Sequence, residues 1–269
     1  MTIDSSYIEK AAVFIESFSE NYHHYKELDF VVLMPEEDIS SFNQLLSLVR
    51  VNQRINLRGR AIQSSKYKWI EKATVKDPRY SKVVWYRLIL GSALKEYNKV
   101  IYFEPDMLVV DNVQPILDHP LHNNVMAVYD VTGVQYQYAK GRGETAWFTT
   151  GVLILNLDWW RENKIERTLV ADLEKNGADE LTDEHLFNKY LKDYWHPLPI
   201  TFNFYAYDSD AHGVPNWDSS YLPAFYKHAI VHHFVGPVKP WNYENFDDKA
   251  DPSRLGAEWR RRFKEIQSR

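Results

Sequence analysis

The 269-residue sequence contains no cysteine, which excludes a disulfide framework, a thiolate metal site and a cysteine nucleophile. No apolar run reaches the length of a membrane span. The opening residues, MTIDSSYIEK, lack the basic start and apolar stretch of a signal peptide. There is no excess of positive charge: the net charge is −5, which argues against a general nucleic-acid binder. No internal repeat, low-complexity stretch or Pro/Gly/Ser linker divides the chain. These absences point to a soluble, cytoplasmic protein of one domain.

Apolar residues make up 45% of the chain, enough for a sizeable core, and aromatics 15%, with 18 Tyr and 9 Trp. Aromatics fill cores and also stack on bases and sugars. Charge is uneven. From Pro252 to Arg269 six basic residues face two acidic ones, so this tail is +4 and the remainder −9. Ala257 to Arg269 is expected to form a helix with Trp259, Phe263 and Ile266 on one face. Such a helix would either pack on the domain or make peripheral contact with an anionic membrane.

Apolar runs alternate with amphipathic segments, the pattern of an α/β protein. Helices are expected over Ile8–Phe18, Ile39–Val51, Lys82–Tyr97, Ile165–Glu174 and Asp183–Lys192. Strands are expected over Asp29–Met34, Lys99–Phe103, Val125–Tyr129, Phe148–Leu157, Thr201–Phe204 and Ile230–Val235. The polar, basic stretch Asn52–Pro78 and the Pro/Gly/Asn-rich stretch 205–222 read as irregular loops, and both are candidate contacts for an acceptor molecule.

Three features carry chemistry. Glu104 and Asp106 follow the apolar strand KVIYF, at the strand end where open α/β sheets bind ligands. Two carboxylates one residue apart suit a hard divalent cation, and are equally compatible with a solvated turn. Asp183 and Glu184 sit in the first turn of a helix, where acidic residues also favour the dipole. His232 and His233 enter a loop punctuated by Gly236 and Pro237 and bearing Lys239. Strand alternation places the two histidines on opposite faces, so one of them at most would face a metal.

Taken in order, these features resemble the family 8 glycosyltransferases, the group of glycogenin and the bacterial lipooligosaccharide galactosyltransferases. The matching segments are TIDSSY at the start, Tyr86-Arg87-Leu88, KVIYFEPDMLVVDN, FTTGVLILNLDWWR, TDEHLFNKYL and HHFVGPVKPWNY. The resemblance implies a single GT-A domain over residues 1–245, with a mixed, mainly parallel sheet flanked by helices and a helical tail over 246–269. It implies retaining transfer of a hexose from a UDP-sugar to a glycan or other hydroxyl acceptor, with Mn²⁺ (or Mg²⁺).

Residue by residue, the resemblance implies that Thr2, Asp4 and Tyr7 border the uracil site. Glu104, Asp106 and His233 would ligate the metal. Lys239, with Gly236 in its loop, would face the diphosphate. Arg87 would approach the donor sugar or its phosphate, Asp183 and Glu184 would lie by the reacting sugar, and Thr149 at the donor contact. Three positions depart from the family pattern: Glu104 stands for Asp, Thr149 for Asn and Glu184 for Gln. Glu104 and Thr149 also suit a family member kept for binding or scaffolding, and the same fold is compatible with nucleotide-sugar hydrolysis.

Overall fold

A computed structural model describes residues 1–78, 80–122, 124–130, 147–178, 182–205, 227–236, 239–242 and 255–269. Its strands are β1 (Leu28–Pro35), β2 (Ile55–Ile62), β3 (Lys99–Phe103), β4 (Met107–Val109), β5 (Val125–Tyr129), β6 (Phe148–Asn156), β7 (Trp195–Leu198), β8 (Phe204–Tyr205) and β9 (Val231–His233). The helices are α1 (Ile8–Glu20), α2 (Phe42–Leu48), α3 (Lys68–Lys72), α4 (Leu90–Ala93), α5 (Gln114–Leu117), α6 (Leu157–Glu162), α7 (Ile165–Asn176), α8 (Thr182–Leu191) and α9 (Leu255–Gln267).

The strands form three sheets: β1-β2, β3-β6-β5-β7 and β4-β9-β8. β1–β2, β5–β7 and β8–β9 pair parallel, as does the Thr2–Leu33 bridge; β3–β6, β5–β6 and β4–β9 pair antiparallel. Alternation along the strands sorts the core into two halves. Ile101, Phe103, Met126, Val128, Val152 and Ile154 face the half covered by α1. Val100, Tyr102, Val125, Ala127, Leu153 and Leu155 face the half covered by α6, α7 and α8. Burial on both faces explains why β3, β5 and β6 read as unbroken apolar runs.

The helix at the C-terminus docks on α1. Trp259 and Ile266 are fully buried, and the Trp259 ring lies 4.9 Å from both Trp241 and Phe263. Arg262 pairs with Glu20 at 2.8 Å, Gln267 donates to Glu9 at 2.9 Å, and Arg269 contacts Glu16. Covered on this second side, α1 buries every residue from Ala11 to Ser19, a wider face than its five-residue apolar stripe suggests.

Three expectations change. Asn52–Pro78 is not irregular: it holds β2 and α3. Among the described residues β2 pairs only with β1, and it has Gly59 and Arg58 exposed along its middle, so its sequence lacks the apolar signal of an inner strand. Lys82–Tyr97 is not one helix but a 3₁₀ turn at Lys82–Arg87 followed by the short α4, a break that turns Arg87 inward. Ile200–Phe202 is a 3₁₀ turn, and β8 follows it at Phe204–Tyr205. The loop expected at 205–222 lies outside the described residues beyond Tyr205.

Candidate active site

β3 ends at Phe103 and β4 begins at Met107, so Glu104-Pro105-Asp106 crosses from one sheet to the next. The crossing is pinned at both ends. Glu104 N–H donates to Gly151 O at 3.0 Å, and Asp106 O accepts from Phe234 N–H at 3.0 Å. The antiparallel register Met107↔His233 then lays His233 beside the acidic pair. Its Nε2 lies 3.0 Å from Glu104 Oε2 and 3.2 Å from Asp106 Oδ1.

Behind the imidazole, Nδ1 is 3.0 Å from Asn203 Oδ1, Asn203 Nδ2 donates to Thr149 Oγ1 at 2.8 Å, and Thr149 Oγ1 donates to Val128 O at 3.4 Å. An amide oxygen facing Nδ1 fixes that nitrogen as the donor and turns Nε2 toward the carboxylates. A lone pair there would face two anions, so the site calls for a cation. Burial works against an imidazolium, but Asp106 and Glu104 outweigh it and raise His233 to about 9. Burial likewise opposes ionisation of Asp106, and Lys239 and His233 hold its carboxyl far below the usual range. A divalent ion fits where that proton sits. One donor atom each from Glu104, Asp106 and His233 lies within 4.8 Å of the others, a set of two carboxylates and one imidazole that could hold a divalent metal ion.

Gly151 makes the arrangement possible. A Cβ there would lie 2.6 Å from His233 Cε1 and 2.7 Å from Nδ1, so the ring rests against bare backbone. Lys239 Nζ sits 2.5 Å from Asp106 Oδ2 and also donates to Phe234 O. Gly236, at φ +80°, turns the chain between β9 and that lysine. Pro237 and Val238 lie outside the described residues. His232 points the other way, fully buried with its ring 5.4 Å from Phe204, and burial drives it down to about 3.

Arg87 links this cluster to α8. Its Nη1 lies 2.8 Å from Glu104 Oε1 and donates to Thr150 O and Oγ1, each at 3.1 Å. Its other edge grips Asp183 with two contacts, Nη2–Oδ1 at 2.9 Å and Nε–Oδ2 at 2.7 Å. Both partners are buried, at 4% and 0% exposure, so the charges balance within the protein. Arg87 also lies over the Tyr102 ring, 5.3 Å from its centre.

Glu184 closes the far side. Its Oε1 accepts from Trp147 Nε1 at 2.9 Å and its Oε2 from Thr150 N–H at 3.1 Å. Burial, then the charge of Asp130, pushes its carboxyl up to about 8, so it is largely protonated near neutrality. A neutral Glu184 presents the same polarity as an amide.

On the open side, Thr2, Ile3, Tyr7, Val84 and Arg87 line a small pocket floored by Glu104 and Asp106. Thr2 Oγ1 is 3.1 Å from Tyr102 OH, and Tyr7 stands edge-on to Trp241 at 6.1 Å. Asp4 caps the turn Ser5–Tyr7, accepting from Ser6 N–H at 3.0 Å and Ser6 Oγ at 2.6 Å. Of the residues singled out from sequence, Thr149 and Asp183 do not reach the pocket: Thr149, 1% exposed, faces Asn203 behind His233, and Asp183, fully buried, faces Arg87. Next to Thr149, Thr150 takes the opposite face and touches Arg87 and Glu184. Alternation along β6 could have indicated Thr150; nothing in the sequence marked Asn203 or Trp147.

The model of glycosyl transferase family 8 matches residues 1–245. The chain belongs to glycosyltransferase family 8. Among family relatives, glycosyltransferase 8 domain-containing protein 1 of Xenopus tropicalis is 27% identical over 190 residues, covering 58% of this chain and 49% of that protein. The chain spans about half the length of the curated relatives it matches. The galactosyltransferase LgtC, solved with donor and acceptor sugar analogues, superposes with a TM-score of 0.73 at 22% identity, covering 96% of this chain and 93% of that one. The bifunctional glycosyltransferase WbbM superposes with a TM-score of 0.77 at 20% identity, covering all of this chain and 50% of that one. The family 8 chain therefore has the GT-A type fold, as the motifs implied.

Proposed function

We propose that this family 8 chain is a retaining hexosyltransferase that takes glucose or galactose from a UDP-sugar and passes it to a glycan or other hydroxyl acceptor, using Mn²⁺. The observation that supports this is the convergence of Glu104, Asp106 and His233 beside Lys239, with Glu104 and Asp106 lining the pocket bounded by Thr2 and Tyr7. Glu104, Asp106 and His233 would hold the metal, which supplies charge neutralisation for a diphosphate leaving group. Lys239 adds a second cation, free to leave Asp106 for a phosphate. Gly236 gives the lysine's loop its turn.

Tyr7 offers an aromatic face to uracil and Asp4 a hydrogen-bond acceptor beside it. Arg87 acts from behind: saturated by Asp183, Glu104 and Thr150, it orients the acidic residues and does not reach for the sugar. Glu184, neutral near pH 7, holds Trp147 and Thr150 in place, so attack from the same face as the departing UDP is favoured over a glutamyl–sugar intermediate. Among the described residues no helix is long and apolar enough to cross a membrane. The aromatic face of α9 is spent on α1, so any contact of the tail with an anionic surface rests on charge alone.

Release of UDP from UDP-glucose and UDP-galactose, measured with and without saccharide acceptors and with EDTA, tests the proposal. Metal-dependent release stimulated by an acceptor supports transfer. Release that no acceptor stimulates points to hydrolysis, and nucleotide binding without release to a binding protein.

A further inference from the structure

Basic side chains gather on α9, on β2 and around α3. The first two groups are largely neutralised within the protein. On α9, Arg261 pairs with Glu258 and Glu265, and Arg262 with Glu20 and Glu258. On β2, Arg58 pairs with Asp29 and Arg60 with Glu96. The third group has no such answer. From Lys66 to Lys76 the sequence holds four lysines against Glu71 alone. Lys68, Lys72 and Lys76 are exposed, and among the described residues none of the three enters an ion pair.

This group adjoins the candidate site. Lys82 donates to Glu71 O, which ties the end of α3 to the turn Lys82–Arg87. Just before that turn, Tyr80 and Ser81 line the same pocket as Glu104 and Asp106, and Tyr80 is 47% exposed. Lys68 and Lys72 stand one helical turn apart, about 6 Å along the axis, and Lys76 follows beyond the helix end. One small anion cannot meet charges spread in this way. A chain with an anionic group on successive units can, and a lysine ammonium attracts carboxylate and phosphate alike. An exposed tyrosine beside the pocket offers a face to a sugar ring. Tyr67 and Ile70 are buried, so α3 has little to insert among lipid tails. The net charge of −5 opposes a nucleic acid.

We propose that the acceptor is an anionic saccharide chain, held by Lys68, Lys72 and Lys76 while a neighbouring sugar crosses Tyr80 toward the pocket. This rests on the transferase reading above and adds the chemical class of its acceptor. The anionic groups hold and align the chain and take no part in making or breaking bonds. Because the three lysines are exposed, their attraction is screened by salt, and the preference for charged over neutral saccharides fades as salt rises.

The test titrates the full chain with hexagalacturonate, which carries a carboxylate on every sugar, and with uncharged maltohexaose. Wild type is compared with the triple variant Lys68→Gln, Lys72→Gln, Lys76→Gln, whose changes lie on the surface. At about 0.05 M salt wild type should bind hexagalacturonate about tenfold or more tighter than maltohexaose, and most of that preference should be gone at about 0.5 M. The triple variant should lose the preference and keep the UDP affinity of wild type in Mn²⁺. No preference in wild type, or the same preference in the triple variant, would overturn the proposal. So would a fall in UDP affinity in the triple variant, which would assign the lysines to the nucleotide. Phosphatidylglycerol vesicles bound through these lysines more tightly than hexagalacturonate would overturn it in favour of a membrane surface. The saccharide titrations need neither Mn²⁺ nor turnover, so their failure strikes this proposal alone. Wild type that does not bind UDP in Mn²⁺ strikes the transferase reading and this proposal with it.

Discussion

Arg87 Nη1 lies 2.8 Å from Glu104 Oε1 while the other carboxylate oxygen of Glu104 lies 3.0 Å from His233 Nε2. One glutamate therefore spans from the arginine that anchors α8 to the histidine of β9. An aspartate, one methylene shorter, reaches one of them less well. Glu104→Asp, although it restores the usual family residue, should lower metal-dependent turnover about tenfold, or about 1.4 kcal/mol. Turnover and half-saturating Mn²⁺ measured for both proteins check this; unchanged values would show that the span is unimportant.

Arg87 and Asp183 neutralise each other out of water. Arg87→Met leaves Asp183 buried without that partner, a change worth about 3–5 kcal/mol of stability. Urea unfolding should show it as a lower midpoint at constant slope. The double variant with Asp183→Asn should recover part of the loss, because the stranded charge is gone.

Gly151→Ala should act mainly through His233, since its other near contact, Met107 Cε at 3.0 Å, is the flexible end of a side chain. The new methyl would lie 2.6 Å from His233 Cε1 and push the ring off the carboxylates. Metal-assisted UDP binding is expected to weaken by about 2–4 kcal/mol. In a His233→Ala background the same change should cost little, since no ring remains to displace. Equal losses in the two backgrounds would place the damage in β6 instead.

Glu184 sets a pH dependence of stability. Its carboxyl titrates near 8 in the folded protein and near 4.5 unfolded, because burial and Asp130 resist its charge. Between those values the folded state holds the extra proton, so this group's contribution to stability is fully present below 4.5 and is lost as pH rises toward 8. Glu184→Gln, neutral at every pH, should therefore gain on the parent from pH 5 to pH 8, by about 1 kcal/mol or more. Thermal unfolding of both proteins at pH 5 and pH 8.5 measures it.

Much of this site was legible because it sits on strand ends. Period two puts the histidine pair on opposite faces of its strand, the family resemblance picked His233 as the one beside the two carboxylates after KVIYF, and His233 faces that acidic pair while His232 faces the core. β3 and β5 kept their expected bounds because burial on both faces leaves little room for polar residues. β2 escaped notice for the opposite reason: an edge strand with Arg58 and Arg60 carries no apolar run. The inward turn of Arg87 and the Asn203–Thr149 relay depend on contacts between residues far apart in the chain, Arg87 with Thr150 and Asp183 and Asn203 with Thr149, which no local pattern encodes. The departure of Thr149 from the family's Asn is a change in the support behind His233.

The most direct test of the metal-assisted nucleotide site is calorimetric titration of the full chain with UDP, with and without Mn²⁺, for wild type, His233→Ala and His232→Ala. UDP affinity should rise at least tenfold with Mn²⁺ in wild type, and His233→Ala should lose that gain while His232→Ala keeps it. Equal UDP affinity in Mn²⁺ and in EDTA, or a gain lost only in His232→Ala, would contradict the account.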